Sequence, residues 1–172
     1  MTVSQRISDQ GEDFDRADLE LWPIGNCQVS GLVDRLGALV WGCVPRVDGD
    51  PIFCALLNAD RRDAGIWRFE LEGQTSVEQH YERNTAILVT RIEAADGSAI
   101  EIRDFCPRFE RSGRMYRPNA WVRNVRPVAG NPRLRVVLNP MRNYGAEIAP
   151  TTHGTNHVRY LIGPQALRLS SD

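Results

Sequence analysis

The chain has 172 residues, enough for one domain with a buried core, and its 42% hydrophobic and 25% charged residues are the balance of an ordinary globular protein. A formal net charge of −1 excludes the broad basic footprint of a nucleic-acid-binding protein. No apolar run is long enough to span a bilayer, and residues 1–10 lack the apolar stretch of a signal peptide, so the expectation is a cytoplasmic protein without membrane contact.

Charge is unevenly spread along the chain. All 21 basic residues are Arg. Residues 9–20 carry six acidic residues against Arg16 alone and show little apolar periodicity, which predicts a mobile acidic arm over 1–20. Trp22-Pro23 marks the start of the folded part. Cys27, Cys43, Cys54 and Cys106 form no C-x-x-C pair, and reduced thiols are expected of all four.

From Trp22 onward the apolar period is two. Residues 27–34 and 38–44 flank Asp34-Arg35-Leu36-Gly37, a turn in which Gly37 supplies the positive φ. The polar knot Pro45-Arg46-Val47-Asp48-Gly49-Asp50-Pro51 follows directly. Residues 51–58 (PIFCALLN) read as a short helical piece, with Asp48 available as its cap and Pro51 in its first turn. Strands are predicted over 66–71, 77–83, 85–93, 99–105, 120–127, 133–138 and 157–162, and the segment from Pro164 begins another. Eight or more strands joined by short turns predict an all-β fold, an antiparallel β-sandwich.

Three constellations could carry chemistry. His153 and His157 stand four apart, but the intervening Gly, Thr and Asn make a loop and no further ligands complete a metal set; none is predicted. Residues 108–118 (RFERSGRMYRP) interleave Arg with Phe109 and Tyr116, a combination that binds phosphates and stacks bases, or else forms a loop between strands whose Arg pair with acidic neighbours or with another domain. Carboxylates are plentiful, yet no nucleophile elbow, phosphate loop or dinucleotide fingerprint accompanies them, and no cofactor is expected.

The stretch PIGNCQVSGLVDRLGALVWGCVPRVDGDPIF (23–53) resembles the amino-terminal signature of glycoside hydrolase family fifteen, the prokaryotic glucoamylase and trehalase-like enzymes. The resemblance rests on Ile24-Gly25-Asn26, on Leu32-Val33-Asp34-Arg35-Leu36-Gly37, on Trp41 and on Pro45-Arg46-Val47-Asp48. Val47 departs from the usual Phe, and Gly49-Asp50-Pro51 from the usual Ser-Pro. The resemblance implies a supersandwich, here incomplete at its carboxy-terminal end over residues 21–172. It also implies a partner in the same polypeptide: a helical (α/α)6 barrel that carries the general acid and base and hydrolyses α-glucosidic bonds. This chain alone would then be non-catalytic. Asn26, Arg46 and Asp48 become candidates for the interdomain face or the substrate cleft. A free-standing carbohydrate-binding or structural interaction module is the alternative; it would use exposed aromatics, for which Trp67, Trp121 and Tyr116 are available. Exposed sheet edges would favour a homo-oligomer of the isolated chain.

Overall fold

The computed structural model describes residues 3–6 (backbone only), 19–57, 61 and 63–171, so most of the acidic arm lies outside the described residues. The strands in chain order are β1 (Val3–Arg6), β2 (Trp22–Gly25), β3 (Ser30–Val33), β4 (Leu39–Val44), β5 (Asp50–Cys54) and β6 (Ile66–Leu71). There follow β7 (Gln74–Tyr81), β8 (Leu88–Ala94), β9 (Ala99–Phe105), β10 (Phe109–Arg111), β11 (Arg114–Tyr116) and β12 (Val122–Ala129). The last are β13 (Leu134–Asn139), β14 (Met141–Arg142), β15 (Glu147–Ile148), β16 (Thr151–His153), β17 (His157–Ile162) and β18 (Gln165–Ser170).

Two antiparallel sheets build the sandwich. One runs β1-β7-β8-β9-β12; the other runs β13-β6-β4-β3-β2, with β5 paired to β4. β4 serves two neighbours on one side: Leu39 faces Trp67 of β6, while Trp41 to Val44 pair with β5. The hairpins β10-β11 and β14-β15 and the three-stranded sheet β16-β17-β18 are appended.

Alternation puts Ile100, Ile102 and Asp104 on one face of β9, and the apolar pair packs with Leu71, Val77 and Ile92 between the sheets. A larger cluster around Val33, Leu39, Phe53, Leu88 and Trp121 extends to Tyr160 and Ile162 of β17, which seats the third sheet on the same core. Trp121 is buried, and Trp67 lies between Phe53 and Phe69 at centroid distances of 6.3 and 6.4 Å. Neither tryptophan is offered to a ligand.

A charge sits inside this core. Arg123 on β12 faces Asp104 on β9 across the ladder, and both side chains are fully buried. Nε donates to Oδ1 at 2.8 Å and a terminal nitrogen to Oδ2 at 3.0 Å, the two-pronged geometry that suits a guanidinium and a carboxylate. The remaining donors reach the carbonyls of Trp67 and Gly37 on the opposite sheet, and the guanidinium lies 4.9 Å from the Phe69 ring centroid. One side chain thus ties both sheets together.

The hairpin over 30–44 forms as the sequence predicts. Asp34 Oδ1 accepts from the backbone N–H groups of Leu36 and Ala38, and Gly37 takes φ +82°. A Cβ at Gly37 would stand 2.9 Å from the Thr90 methyl, a second reason for glycine. Burial pushes the Asp34 carboxyl up; the two amide bonds and Arg123 oppose it without reversing it.

Residues 51–58 correct the expectation of a helix. Asp50–Cys54 is strand β5, and only Ala55–Leu57 turns, as a single 3-10 piece; residue 58 lies outside the described residues. Ile52 and Phe53 fill the core in a strand buried on both faces, and a short continuous apolar run has no periodicity to separate helix from strand. Pro51 falls where the β4-β5 register shifts, a place that spares the ladder a missing N–H. Asp48 therefore caps no helix at Pro51.

Candidate functional site

Four loops converge at one end of the sandwich, and hydrogen bonds join them in pairs. The first is the β2-β3 turn, residues 26–29. Asn26 is buried, and its side chain is used completely. Oδ1 accepts from the N–H groups of Gln28 and Val29 at 2.9 and 3.1 Å. Nδ2 donates to the carbonyls of Pro107 and Pro118, both at 2.9 Å. Those prolines flank the β10-β11 hairpin, so one amide clamps both of its roots. With both hydrogens and two acceptor positions occupied, Asn26 has no spare donor for a substrate.

The second loop is the polar knot. Arg46 and Asp48 pair with each other, Nε to Oδ1 and a terminal nitrogen to Oδ2, both at 3.1 Å, with side chains 68% and 65% exposed. The Arg46 carbonyl accepts from Gly49 N–H and closes the turn. A Cβ at Gly49 would stand 2.1 Å from the Val44 carbonyl oxygen, so no other residue fits there. The Pro45 carbonyl accepts from Asn119 Nδ2 at 3.0 Å, which joins the knot to the bend between the hairpin and β12.

Asp50 does work that sequence reading missed. Its carboxylate accepts from the backbone N–H groups of Asn143 and Tyr144 at 2.8 and 2.9 Å. Both of those residues take φ +53°, and the bonds hold this left-handed turn between β14 and β15 against the knot. The only signal was a second acid in the knot. Its partners lie more than ninety positions away, where no spacing rule reaches.

The third loop is the hairpin itself, residues 109–116, where the sequence suggests a loop between strands. Phe109 faces Tyr116, Glu110 faces Met115 and Arg111 faces Arg114. Ser112 and Gly113 form the tip with positive φ. The two aromatic rings stack at 5.6 Å with 11° between their planes, and every residue from Arg108 to Asn119 is exposed. The fourth loop is the 143–146 turn, which presents Tyr144, 72% exposed.

Of the sequence-predicted residues, Arg46 and Asp48 are surface groups on the knot, whereas Asn26 is buried and supports the roots of the hairpin. Asn119, next to Asn26's partner Pro118, links the two regions. His153 and His157 lie on β16 and β17 of the third sheet, part of a hairpin closed by Gly154 N–H to the His157 carbonyl. Among the described residues no group of three or more His, Cys, Asp or Glu side chains could hold a metal ion. No helix among them is long and apolar enough to cross a membrane.

Compared with known proteins, the chain is similar to a trehalase. The relative is the trehalase of Thermoplasma volcanium, 29% identical over 89 residues. That match covers 51% of this chain and 14% of the trehalase, so the chain corresponds to a small part of that protein's length. No family model matches the chain, and no solved structure matches it.

Proposed function

We propose that this chain is a non-catalytic, amino-terminal β-sandwich domain of a trehalase-like glycoside hydrolase. It packs on a helical catalytic barrel of the same polypeptide, which cleaves α-glucosidic bonds in the cytoplasm. The observation that carries the reading is the likeness to a trehalase over half the chain. The family-fifteen signature adds support, because its residues serve visible tasks in the fold: Asp34 and Gly37 build the β3-β4 turn, and Asn26 clamps the hairpin. Arg46 and Asp48 stand outward on a loop fixed at both ends, a suitable place for charges that meet a facing domain or an α-glucoside.

The test compares the 172-residue chain with the full-length polypeptide that contains it, on trehalose and on α-linked glucose oligosaccharides. The chain alone should be inactive and the full-length polypeptide active. Turnover by the purified chain, or none by the full-length polypeptide on any α-glucoside, would overturn the reading.

A further inference from the structure

We propose that the β10-β11 hairpin is a docking prong for an acidic, apolar-lined surface elsewhere in the polypeptide that contains this chain. This deepens the function proposed above, and rests on it for the partner's place in the same polypeptide.

The first observation is uncompensated charge. Residues 108–117 hold Arg108, Arg111, Arg114 and Arg117 against Glu110 alone. Arg111 and Arg114 face each other directly across the ladder, a like-charge pairing that costs the isolated hairpin stability. Among the described residues neither pairs with a carboxylate. Several strand arginines elsewhere are matched, Arg91 with Glu93, Arg103 and Arg126 with Glu101, and Arg142 with Glu147, whereas Arg159 and Arg168 oppose each other across β17-β18 without stacked aromatic rings beside them. Two opposed arginines at an exposed tip, each two residues along its strand from one of a pair of stacked aromatic rings, are shaped for a carboxylate from outside.

Apolar surface is the second observation. Phe109, Met115 and Tyr116 are each more than 40% exposed on this one short ribbon. Aromatic, Met and Arg side chains together are the composition of an interface centre. Rigidity is the third. Asn26 fixes both roots, and Arg108 leans on Cys27 with its nitrogen 3.8 Å from the sulfur, so docking orders little that is not already ordered.

A nucleic acid fits less well. The net charge is −1, and the two rings stack on each other, which leaves no gap between them for a base.

The test is hydroxyl-radical footprinting of the full-length polypeptide, read at Phe109, Met115 and Tyr116. In the wild type these residues should oxidise several-fold more slowly than in Arg111→Glu/Arg114→Glu, and molar salt should accelerate the wild type towards the variant. Circular dichroism checks that the variant stays folded; should it unfold, Arg111→Gln/Arg114→Gln and the salt response decide. Equal, rapid oxidation in wild type and variant overturns the prong, and does so without touching the proposed function if α-glucoside hydrolysis is present. Slow oxidation in a polypeptide without hydrolase activity supports the prong and removes that function instead. Protection that appears only on adding a single-stranded oligonucleotide or a glucose oligosaccharide overturns the proposal.

Discussion

Arg123 shows what a single residue can decide here and how little of that its type reveals. In sequence it is one of nine arginines between 103 and 135, and its partner Asp104 lies nineteen positions away. Only the β9-β12 register brings them opposite, so no local pattern could pair them. Replacing Arg123 with Met should cost about 3–5 kcal/mol, because a buried carboxylate loses its counter-charge. The double change Arg123→Met/Asp104→Leu should recover most of that loss in urea unfolding; if the double variant is no more stable than the single one, the pair is not the cause. Asn26 carries the opposite lesson. The sequence makes it a candidate for an interdomain face or a substrate cleft, and in the structure its side-chain bonds all turn inward. Cysteine reactivity separates by burial in the same way. Cys27 is exposed, whereas Cys43 and Cys54 are buried and Cys106 is pushed up to about 12 by burial and by the nearby Asp104 charge. A thiol reagent at neutral pH should therefore label Cys27 rapidly in the native protein and the other three only after denaturation. Rapid native labelling of Cys106 would contradict the packing around it.

At the scale of elements, legibility followed periodicity. Strands with clean alternation, β6 and β9 above all, stand where the sequence puts them, and so does the Asp34–Gly37 turn, because turn chemistry is local. β5 was not readable, since its buried run lacks a period and its ladder partner β4 is what selects strand over helix. The β10-β11 hairpin was hidden by its polar composition, which resembles that of a loop. Ion pairs outside the core, one along β9 and one across to β12, give a pH-dependent prediction. Glu101 resists ionisation through burial, but hydrogen bonds and charge from Arg103 and Arg126 prevail and hold its carboxyl below the usual glutamate range. A depressed carboxyl stabilises the fold above its unfolded value, and that contribution fades as pH falls through the folded value. Glu101→Gln should be less stable than wild type at neutral pH, by under about 1 kcal/mol for pairs this close to solvent. The two urea midpoints should converge in acid below the ordinary glutamate range; a gap that widens there would reverse the assigned sign.

For the whole molecule, the decisive matter is what the loop-bearing end of the sandwich faces. The knot, the clamped hairpin and the 143–146 turn are held to one another by side chains that already have their partners, Asn26, Asp50 and Asn119. Arg46 and Asp48 are different. Among the described residues their side chains bond only each other, at the surface, and an exposed pair of this kind contributes about 0–1 kcal/mol to stability. Since β5 is a strand, Asp48 has no helix to cap, and the stability cost that a cap would carry is not expected. Stability therefore gives these two side chains little reason to be charged. Asp48→Ala in the full-length polypeptide should leave the melting temperature close to that of wild type. Under the proposed function its hydrolysis of α-glucosides should fall, because Arg46 loses the carboxylate that orients it. Arg46→Ala should reproduce the loss, and the double variant should be no worse than either single one if the two act as a unit. Unchanged activity in both single variants would make the knot a solvated loop and return the search to the hairpin beside it.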